Sequence, residues 1–322
     1  MSTDNLHVIC LGEILVQFNA VTPGPLRHVT YFEKHAAGSE ANVAVCVKRQ
    51  GLSSGFVTKL GSDEFGKFLY NWLRGEGVDV SQIKFDPEGF TGIYFIQRGF
   101  PVPGRSSVIY YRRGSAASKI TESDIVEEYF SRALILHLSG ITPALSESVL
   151  RASLKAIDIV KKNEAKLSFD TNIRPPLWKS MEDARKTLLP IVEKSDILFT
   201  DIDDSKILIG ESDIKKIIQH YLSIGIEVVV LKLGPKGAIA ATKSSYCEVN
   251  GYQVNVIDPI GAGDALAGTF LTGLLKGYTI EKSLRRAIAA GTLVVTVRGD
   301  QENLPTEDEI EAFLKYYSGK QD

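Results

Sequence analysis

Short apolar runs alternate with longer stretches of helical periodicity along most of this 322-residue chain, and this alternation constrains its fold more than any other feature. The apolar runs have the length of buried strands and lie at residues 8–11, 134–138, 167–169, 197–199 and 228–233. Apolar residues recur at helical spacing in residues 147–162, 182–193 and 213–223. This βαβα order predicts an α/β fold in which helices cover both faces of a doubly wound, mainly parallel sheet.

Three extended segments depart from this order and predict a second, smaller sheet. Residues 14–20, 91–97 and 107–113 have strand character, and residues 98–106 between the last two are rich in Gly and Pro, which favours a hairpin. We expect a small antiparallel sheet that projects as a lid or a dimer surface from one domain spanning residues 1–322, with lid strands inserted at about 14–35 and 91–115. The alternative is a loop that packs on the edge of the main sheet.

Charge, cysteine content and the lengths of the apolar stretches disfavour several functional classes. The 37 Lys and Arg residues are balanced by 39 Asp and Glu residues, so the net charge of -2 provides no overall positive field for nucleic acid. The 3 cysteines lie far apart and form no C-x-x-C pair, which is typical of a reducing compartment. No apolar stretch approaches the roughly 20 residues that a membrane span requires. We expect a cytoplasmic protein whose partners are small molecules.

Polar residues follow the ends of four of the predicted strands. They are Ser139-Gly140, residues 170–172, Thr200-Asp201 and Gly234. In an open parallel sheet, ligands bind in the crevice outside the carboxyl ends of the strands, so these residues are candidate ligand groups along one edge. Turns are polar in most proteins, however, and these positions do not establish a site by themselves.

The heptapeptide from Asp258 to Asp264 (Asp-Pro-Ile-Gly-Ala-Gly-Asp) is the strongest functional motif. The apolar residues that follow it predict a helix beginning near Ala262. The first N–H groups of a helix attract anions, and Gly261 and Gly263 have no side chains to block the approach. A carboxylate beside a bound phosphate would repel it, which favours Asp264 as a general base for phosphoryl transfer. The alternative is an acidic helix start with glycines in a tight turn.

Four motifs resemble those of the ribokinase-like (PfkB) carbohydrate kinases. Residues 258–264 resemble the family's C-terminal signature, and residues 37–42 resemble its N-terminal G-G-x-x-x-N with Ala37 in place of the first glycine. Residues 59–66 are similar to its glycine and aspartate turn, and residues 232–237 to its K-x-G-x-x-G nucleotide loop. The resemblance implies a large α/β domain with a β-sheet lid, and an enzyme that uses ATP and Mg²⁺ to phosphorylate a sugar.

By this resemblance Asp264 is the catalytic base, and the backbone N–H groups of Gly261, Ala262 and Gly263 form the anion hole. The ATP site would include these four residues together with Asn172, Lys232, Leu233, Gly234, Pro235, Lys236, Gly237 and Ala290. The family usually carries N-x-x-E for Mg²⁺ and phosphate after a core strand, whereas residues 201–204 of this chain are Asp-Ile-Asp-Asp. These carboxylates suit a hard cation, but without the Asn we assign no residue as a strict metal ligand.

Aromatic and cationic residues on the predicted lid indicate the kind of sugar. Tyr94, Tyr110, Tyr111 and Arg112 lie on its strands, and Arg174 follows the polar residues at a strand end. An arginine fork matches a carboxylate in bidentate geometry and tyrosine hydroxyls add donors, which favours an acidic sugar. The alternatives are a solvated strand whose aromatic residues cover apolar surface and an arginine that caps a turn.

Within the family, several segments resemble the archaeal 2-keto-3-deoxygluconate kinases. They are residues 24–27, 31–35, 91–99, 110–116, 170–175 and 296–300. This resemblance implies sugar-acid contacts from Gly38, Tyr94, Tyr110, Arg112, Arg174, Asp258, Asp264 and Asp300, and it places Asn172 at the nucleotide phosphates. The implied reaction is ATP-dependent phosphorylation of 2-keto-3-deoxygluconate at its 6-hydroxyl in an Entner–Doudoroff pathway. Similar archaeal enzymes often accept the galactonate epimer as well.

Other functions remain open. A kinase for a neutral ketose such as fructose would share the fold and Asp264, but the Tyr and Arg cluster disfavours it. A non-catalytic sugar sensor would have no use for a base beside the anion hole. A dehydrogenase would need a strand–G-x-G-x-x-G–helix unit, which the N-terminal half lacks.

The lid hairpin further predicts a homo-oligomer, either a dimer through β-sheet pairing or a higher assembly.

Overall fold

The computed structural model describes residues 5–102 and 106–318. Its strands are β1 (Leu6–Leu11), β2 (Leu15–Ala20), β3 (Phe32–Ala37), β4 (Ser54–Gly61), β5 (Ile83–Asp86), β6 (Ile93–Arg98), β7 (Ser106–Tyr111), β8 (Ala133–Ser139), β9 (Lys166–Asp170), β10 (Ile197–Asp201), β11 (Val228–Lys232), β12 (Gly237–Ala241) and β13 (Tyr246–Asn250). Its α-helices are α1 (Ser39–Arg49), α2 (Glu64–Gly75), α3 (Glu127–Phe130), α4 (Glu147–Lys162), α5 (Met181–Val192), α6 (Ile202–Ile209), α7 (Ile214–Ser223), α8 (Ala262–Leu275), α9 (Ile280–Val294) and α10 (Glu307–Ser318). Residues 103–105 of the predicted hairpin connection lie outside the described residues.

The main sheet has nine strands in the order β13-β12-β11-β10-β9-β8-β1-β4-β5. The strands from β11 to β5 pair in parallel, and β12 and β13 add an antiparallel edge. Strands covered on both faces need apolar side chains on both, which is why the predicted strands are mostly apolar, with single polar residues at His137, Ser168 and Lys232. The predicted α/β fold with a mainly parallel sheet is confirmed.

Helices pack on both faces because successive strand residues point to opposite sides of the sheet. In β8, Leu136 belongs to a core that includes α4, α5 and α7, whereas Ile135 belongs to a core that includes α1, α8 and α9. The helices α4, α5 and α7 match the predicted helical segments to within one residue at each end. In the part of the chain that the structure describes, no helix combines the length and apolar character needed to cross a membrane.

The lid is a four-stranded sheet in the order β3-β2-β6-β7. Its outer pairs are antiparallel, as predicted, whereas the central pair of β2 and β6 is parallel because these strands arrive from separate passages of the chain. Tyr94 and Ile96 are buried on one face. On the other face Phe95 stacks on Phe18, with 5.2 Å between the ring centroids. Alternate residues of this strand therefore face opposite sides of the lid.

The lid joins the main domain through four short segments that we call the lid crossings. They comprise residues 12–14 before β2, residue 38 after β3, residues 87–92 before β6 and residues 112–115 after β7. Gly38 has a φ of 141°, and a Cβ there would lie 2.5 Å from the backbone oxygen of Glu13. Only glycine allows these two crossings to approach so closely.

Candidate active site

A cavity of about 440 Å³ lies between the inner face of the lid and the carboxyl ends of the central strands. This is the position at which open α/β sheets bind ligands, and the volume suits a small molecule. The predicted site residues that line it are Gly38, Tyr94, Tyr110, Arg112, Asn172, Arg174, Lys232, Gly234, Gly261, Gly263, Asp264 and Asp300. The fold thus brings together residues from the lid, the strand ends and the predicted helix start.

The helix α8 begins at Ala262, as predicted, and its first turn opens onto the cavity. Gly261 caps this end with a φ of 82°, in the left-handed region that favours glycine. The first N–H groups of a helix have no acceptor within the helix, and the helix dipole adds positive potential there. The start of α8 can therefore hold an anionic group.

Asp264 lies in the first turn of α8 and is held by two residues of α1. Its Oδ1 accepts a hydrogen bond from the Ser39 hydroxyl at 2.7 Å, and its Oδ2 accepts one from the Asn42 amide at 2.7 Å. Burial raises the pKa of Asp264 to about 6, although these hydrogen bonds act in the opposite direction. A carboxylate with this pKa is ionised at pH 7 and is a stronger base than an ordinary aspartate.

Asn42 connects Asp264, which is half-buried, to the buried carboxyl group of Asp300. Its side-chain amide also donates to Oδ1 of Asp300 at 2.7 Å, and the Tyr94 hydroxyl lies 3.4 Å from the other oxygen of Asp300. Burial, and then the charge of Asp264, raises the pKa of Asp300 well above its ordinary value. Protonation of Asp300 is thereby favoured, which relieves the repulsion between the two neighbouring carboxyl groups.

Lys232 and Asp170 form an ion pair at the ends of β11 and β9. The ammonium nitrogen lies 2.7 and 2.8 Å from the two carboxylate oxygens. Burial lowers the pKa of Lys232, but the charge and hydrogen bonding of Asp170 outweigh this and raise it, so the amine keeps its charge. The same nitrogen lies 3.8 Å from the point that a Cβ on Gly263 would occupy. A positive charge therefore adjoins the start of α8, where it reinforces anion binding.

Two carboxylates near the end of β10 face the same cavity. Asp204 accepts hydrogen bonds from the Thr171 hydroxyl at 2.6 Å and from the Ile173 N–H at 3.1 Å. Burial, and then the charge of Asp201, raises the pKa of Asp204 to about 6. A bound cation would relieve this repulsion, and carboxylate oxygens are donors that Mg²⁺ prefers, directly or through water. Asp201 and Asp204 therefore fit the magnesium ion of a nucleotide complex.

Eight predicted site residues lie outside the wall of the cavity: Tyr111, Asp258, Ala262 and Ala290, and four residues of the predicted nucleotide loop. Tyr111 is 58% exposed on the outer face of the lid, where it packs against Phe95, because neighbouring residues of a strand point to opposite faces. Ala290 is buried in the core of the α9 side and presents no surface to a nucleotide. The predicted contacts of Tyr111 and Ala290 are therefore wrong for this structure. Asp258 is buried behind the wall and accepts a hydrogen bond from the Asn19 amide at 3.0 Å.

The predicted nucleotide loop is only partly in the cavity. Lys232 and Gly234 line it, whereas Leu233, Pro235, Lys236 and Gly237 do not. Pro235 and Lys236 lie on an exposed turn beside the cavity, and Gly237 is buried at the start of β12. A nucleotide that extends beyond the cavity would reach this turn, and these contacts stay predictions.

The structure brings two arginines into the cavity that holds Asp264. Arg174 lines the wall after β9, and its charge lowers the pKa of Asp264, which places it within electrostatic reach of the base. Arg112 lines the wall beside the lid and forms an ion pair with Glu13 at 2.5 Å. The cavity thus combines a base with cations that can bind an acidic ligand.

Several residues of the site were not predicted individually. Ser39 and Asn42, which orient Asp264, lie within the motif at residues 37–42, so the motif could have identified them. Asp170 was noted only as a polar strand end, although it pairs with Lys232. Glu13 follows an apolar strand without any motif that we recognised, and its partner Arg112 is 99 residues away.

A base beside an anion-binding helix start can take the proton of a hydroxyl while the oxygen of that hydroxyl attacks a phosphoryl group. This chemistry, in a cavity that also suits the magnesium ion of a nucleotide, defines the class of the protein as a phosphotransferase. Comparison with known proteins narrows the class. The profile of the pfkB family carbohydrate kinases matches residues 5–307, and the chain belongs to this family.

Individual relatives agree with this family in sequence and in structure. The chain is 46% identical to the 2-dehydro-3-deoxygluconokinase of Thermoproteus tenax, over 96% of this chain and 94% of the relative. The crystal structure of the 2-dehydro-3-deoxygluconokinase of Thermotoga maritima matches with a TM-score of 0.90 at 28% identity, covering 96% of this chain and 99% of that chain. A putative ribokinase II of E. coli, in complex with ATP and Mg²⁺, also has a TM-score of 0.90 at 28% identity, covering 97% and 99%. The predicted ribokinase-like fold is confirmed.

Proposed function

We propose that this carbohydrate kinase transfers the γ-phosphoryl group of ATP to the 6-hydroxyl of 2-keto-3-deoxygluconate, also called 2-dehydro-3-deoxygluconate. The observation that carries the proposal is the presence of Arg112 and Arg174 in the cavity that holds Asp264. The relatives from T. tenax and T. maritima bear the name of this activity. We include the galactonate epimer as a second substrate, and a place in an Entner–Doudoroff pathway follows from the reaction.

The sugar end of the cavity positions and activates the hydroxyl. Arg112 and Arg174 bind the carboxylate of the sugar acid, which places the far hydroxyl at Asp264. Asp264 accepts the proton of that hydroxyl as the oxygen attacks the γ-phosphorus of ATP. The bond from this phosphorus to the β–γ bridging oxygen breaks, and ADP leaves.

The nucleotide end of the cavity balances negative charge. The backbone N–H groups of residues 261–263 and the ammonium group of Lys232 stabilise the transferring phosphoryl group, and Asn172 contacts the phosphates. Asp201 and Asp204 would hold Mg²⁺, which neutralises phosphate charge when it is bound. The lid excludes water, which would otherwise accept the phosphoryl group in place of the sugar.

A substrate panel tests this function. We expect ADP release with Mg·ATP to show a kcat/KM for 2-keto-3-deoxygluconate or its galactonate epimer that exceeds those for fructose and ribose by at least about 100-fold, because a site that pairs the buried guanidinium of Arg112 with the carboxylate rejects sugars without one. Gluconate serves as the control for a carboxylate without the keto group. Preference for fructose would contradict the proposal, and an absence of turnover with every sugar would favour a sensor.

We also propose that the lid pairs with a second copy of the chain. Its edge strand β7 carries the exposed apolar residues Val108, Ile109 and Tyr111, and an exposed apolar edge is a template for pairing between chains. We expect Ile109→Lys to convert a dimer into a monomer in size-exclusion chromatography with light scattering. The matched control is Ile224→Lys, because Ile224 is 37% exposed at the end of α7 and Ile109 is 36% exposed. A monomeric wild-type protein would contradict this proposal.

A further inference from the structure

Glu13 is a buried acidic residue on the first lid crossing, and both of its carboxylate oxygens have partners. Oε2 lies 2.7 Å from Nε of Arg112 and 2.5 Å from Nη2 of the same residue. Oε1 accepts a hydrogen bond from the Ser115 hydroxyl at 2.5 Å. The side chains of Glu13 and Arg112 are only 1% and 5% exposed, so little water competes for this ion pair.

Glu13 also contacts the other lid crossings. A Cβ on Gly92 would lie 2.5 Å from Oε1 of Glu13, and the backbone oxygen of Glu13 is the atom that Gly38 approaches. Arg112 and Ser115 belong to the remaining crossing. All four lid crossings therefore meet at the side-chain carboxylate and the backbone oxygen of Glu13. A side chain confined in this way cannot easily change its direction.

The position of Arg112 depends on this contact. Glu13 occupies the Nε and Nη2 edge of the guanidinium, which leaves the two N–H donors of Nη1 and the second N–H of Nη2 for a ligand in the cavity. Cζ of Arg112 lies over the ring of Tyr110, 5.4 Å from its centroid, and Tyr110 also lines the cavity. Because the guanidinium is planar with donors in fixed directions, holding one edge sets the direction of the others.

We propose that Glu13 is a positioning residue for recognition of the sugar acid. It holds Arg112 so that the guanidinium presents its remaining N–H donors to the carboxylate of the substrate, and it ties this contact to the lid crossings. The inference rests on the proposed function, since it takes an acidic sugar as the ligand of Arg112. The carboxylate of Glu13 bonds to Arg112 and Ser115 rather than to Asp264 or Lys232, so its role is to position Arg112 and not to act on the reacting atoms.

Glu13→Gln tests this role because glutamine keeps the size of the side chain and removes its charge. We expect the KM for 2-keto-3-deoxygluconate to rise about tenfold, because the guanidinium loses a charged partner that fixes its direction. The kcat and the KM for ATP should stay within about twofold of the wild-type values. Glu13→Asp keeps the charge and shortens the side chain by one methylene group, and the KM for the sugar acid should rise in this variant as well, so the test survives if Glu13→Gln does not fold.

A double-mutant cycle with Arg112→Lys separates positioning from a structural role. If Glu13 acts through Arg112, adding Glu13→Gln to the Arg112→Lys variant should change the KM for the sugar acid by no more than about twofold. The planar guanidinium that Glu13 orients is already absent from the Arg112→Lys variant. A full tenfold effect in both backgrounds would overturn the proposal. So would an unchanged KM for the sugar acid in Glu13→Gln, or an equal rise in the KM values for sugar acid and ATP.

The turnover of 2-keto-3-deoxygluconate by the wild-type enzyme, measured first, separates this test from the test of the proposed function. If the wild-type protein does not phosphorylate 2-keto-3-deoxygluconate, the proposed function fails before any variant is compared. If the wild-type protein turns over the sugar acid and the variants behave in one of the three contrary ways, only the role of Glu13 fails.

Discussion

Replacing Asp264 with asparagine is expected to lower kcat by at least about 100-fold, while the KM values for sugar acid and ATP change by about threefold or less. The amide cannot accept the proton of the sugar hydroxyl, so the variant loses general-base catalysis, which contributes typically 10²- to 10⁴-fold. Binding is retained because the carboxylate anchors and the anion-binding start of α8 are untouched. Steady-state kinetics with Mg·ATP and 2-keto-3-deoxygluconate measure both effects.

The surroundings of Asp264 allow this substitution without loss of folding. The carbonyl oxygen of the new amide can accept from Asn42, and its nitrogen can donate to the hydroxyl of Ser39, so both existing contacts have replacements. Burial raises the pKa of Asp264, which means that its negative charge opposes folding at neutral pH. We therefore expect a thermal midpoint that is equal to or higher than that of the wild-type protein.

Asp300→Asn is the matched control, because Asp300 is a neighbouring carboxyl group that accepts from the same Asn42 amide. This residue is predicted to contact the sugar and has no part in taking the proton. We expect Asp300→Asn to raise the KM for the sugar acid and to lower kcat by less than about tenfold. An equal loss of kcat in the two variants, or near-full turnover by Asp264→Asn, would contradict the assignment of the base.

The pH dependence of the wild-type enzyme gives an independent measurement of the base. Only the ionised carboxylate of Asp264 accepts a proton, and its pKa is raised to about 6, so kcat/KM for the sugar acid should fall as the pH decreases through about 6. The assay uses saturating Mg·ATP because Asp204, whose pKa is also raised to about 6, lies at the nucleotide end. The residual activity of Asp264→Asn should lack this decrease.

The main sheet was predictable because the patterns that specify its strands and helices each lie within one short segment of the sequence. Each central strand is covered on both faces and is therefore mostly apolar, and α4 shows its helical period over its whole length from Glu147 to Lys162. The parallel pairing of β2 with β6 was not predictable in the same way. It joins strands from two separate lid crossings, and no turn between them sets their direction.

The site was predictable where one short segment carries its own chemistry. The start of α8 supplies both the N–H groups and Asp264, so a heptapeptide was enough to indicate phosphoryl transfer. The residues that orient Asp264 come from α1, with Asn42 at a separation of 222 residues. Contacts across such distances depend on the packing of the whole fold, which no local pattern contains.

Tyr111 shows an error that the sequence could have prevented. The run from Tyr110 to Arg112 was treated as one cluster because its residue types suit an acidic sugar. A strand presents alternate residues to opposite faces, as Tyr94 and its neighbour Phe95 do in β6. Applied to β7, it separates the cavity-lining Tyr110 from Tyr111 on the outer face.

Replacing Arg174 with alanine is expected to raise the KM for the sugar acid by about 10- to 100-fold and to leave the KM for ATP within about twofold. A hydrogen bond to a charged group contributes about 1.5–3 kcal/mol, which corresponds to this range. Arg174→Lys keeps the charge but loses the planar fork, so its KM should lie between those of the wild-type and alanine variants. Equal rises in the two KM values would contradict the proposed carboxylate contact.

The charge of Arg174 supplies a second measurement that distinguishes this contact from a structural role. Arg174 lowers the pKa of Asp264, so its removal should move the acidic limb of the kcat/KM profile to higher pH. Arg174→Lys should keep the limb near its wild-type position because it retains the positive charge. A turn-capping arginine would affect stability without this dependence on charge. A raised KM in both variants, with a displaced limb only in the alanine variant, would therefore place Arg174 at the sugar acid and within the field of the base.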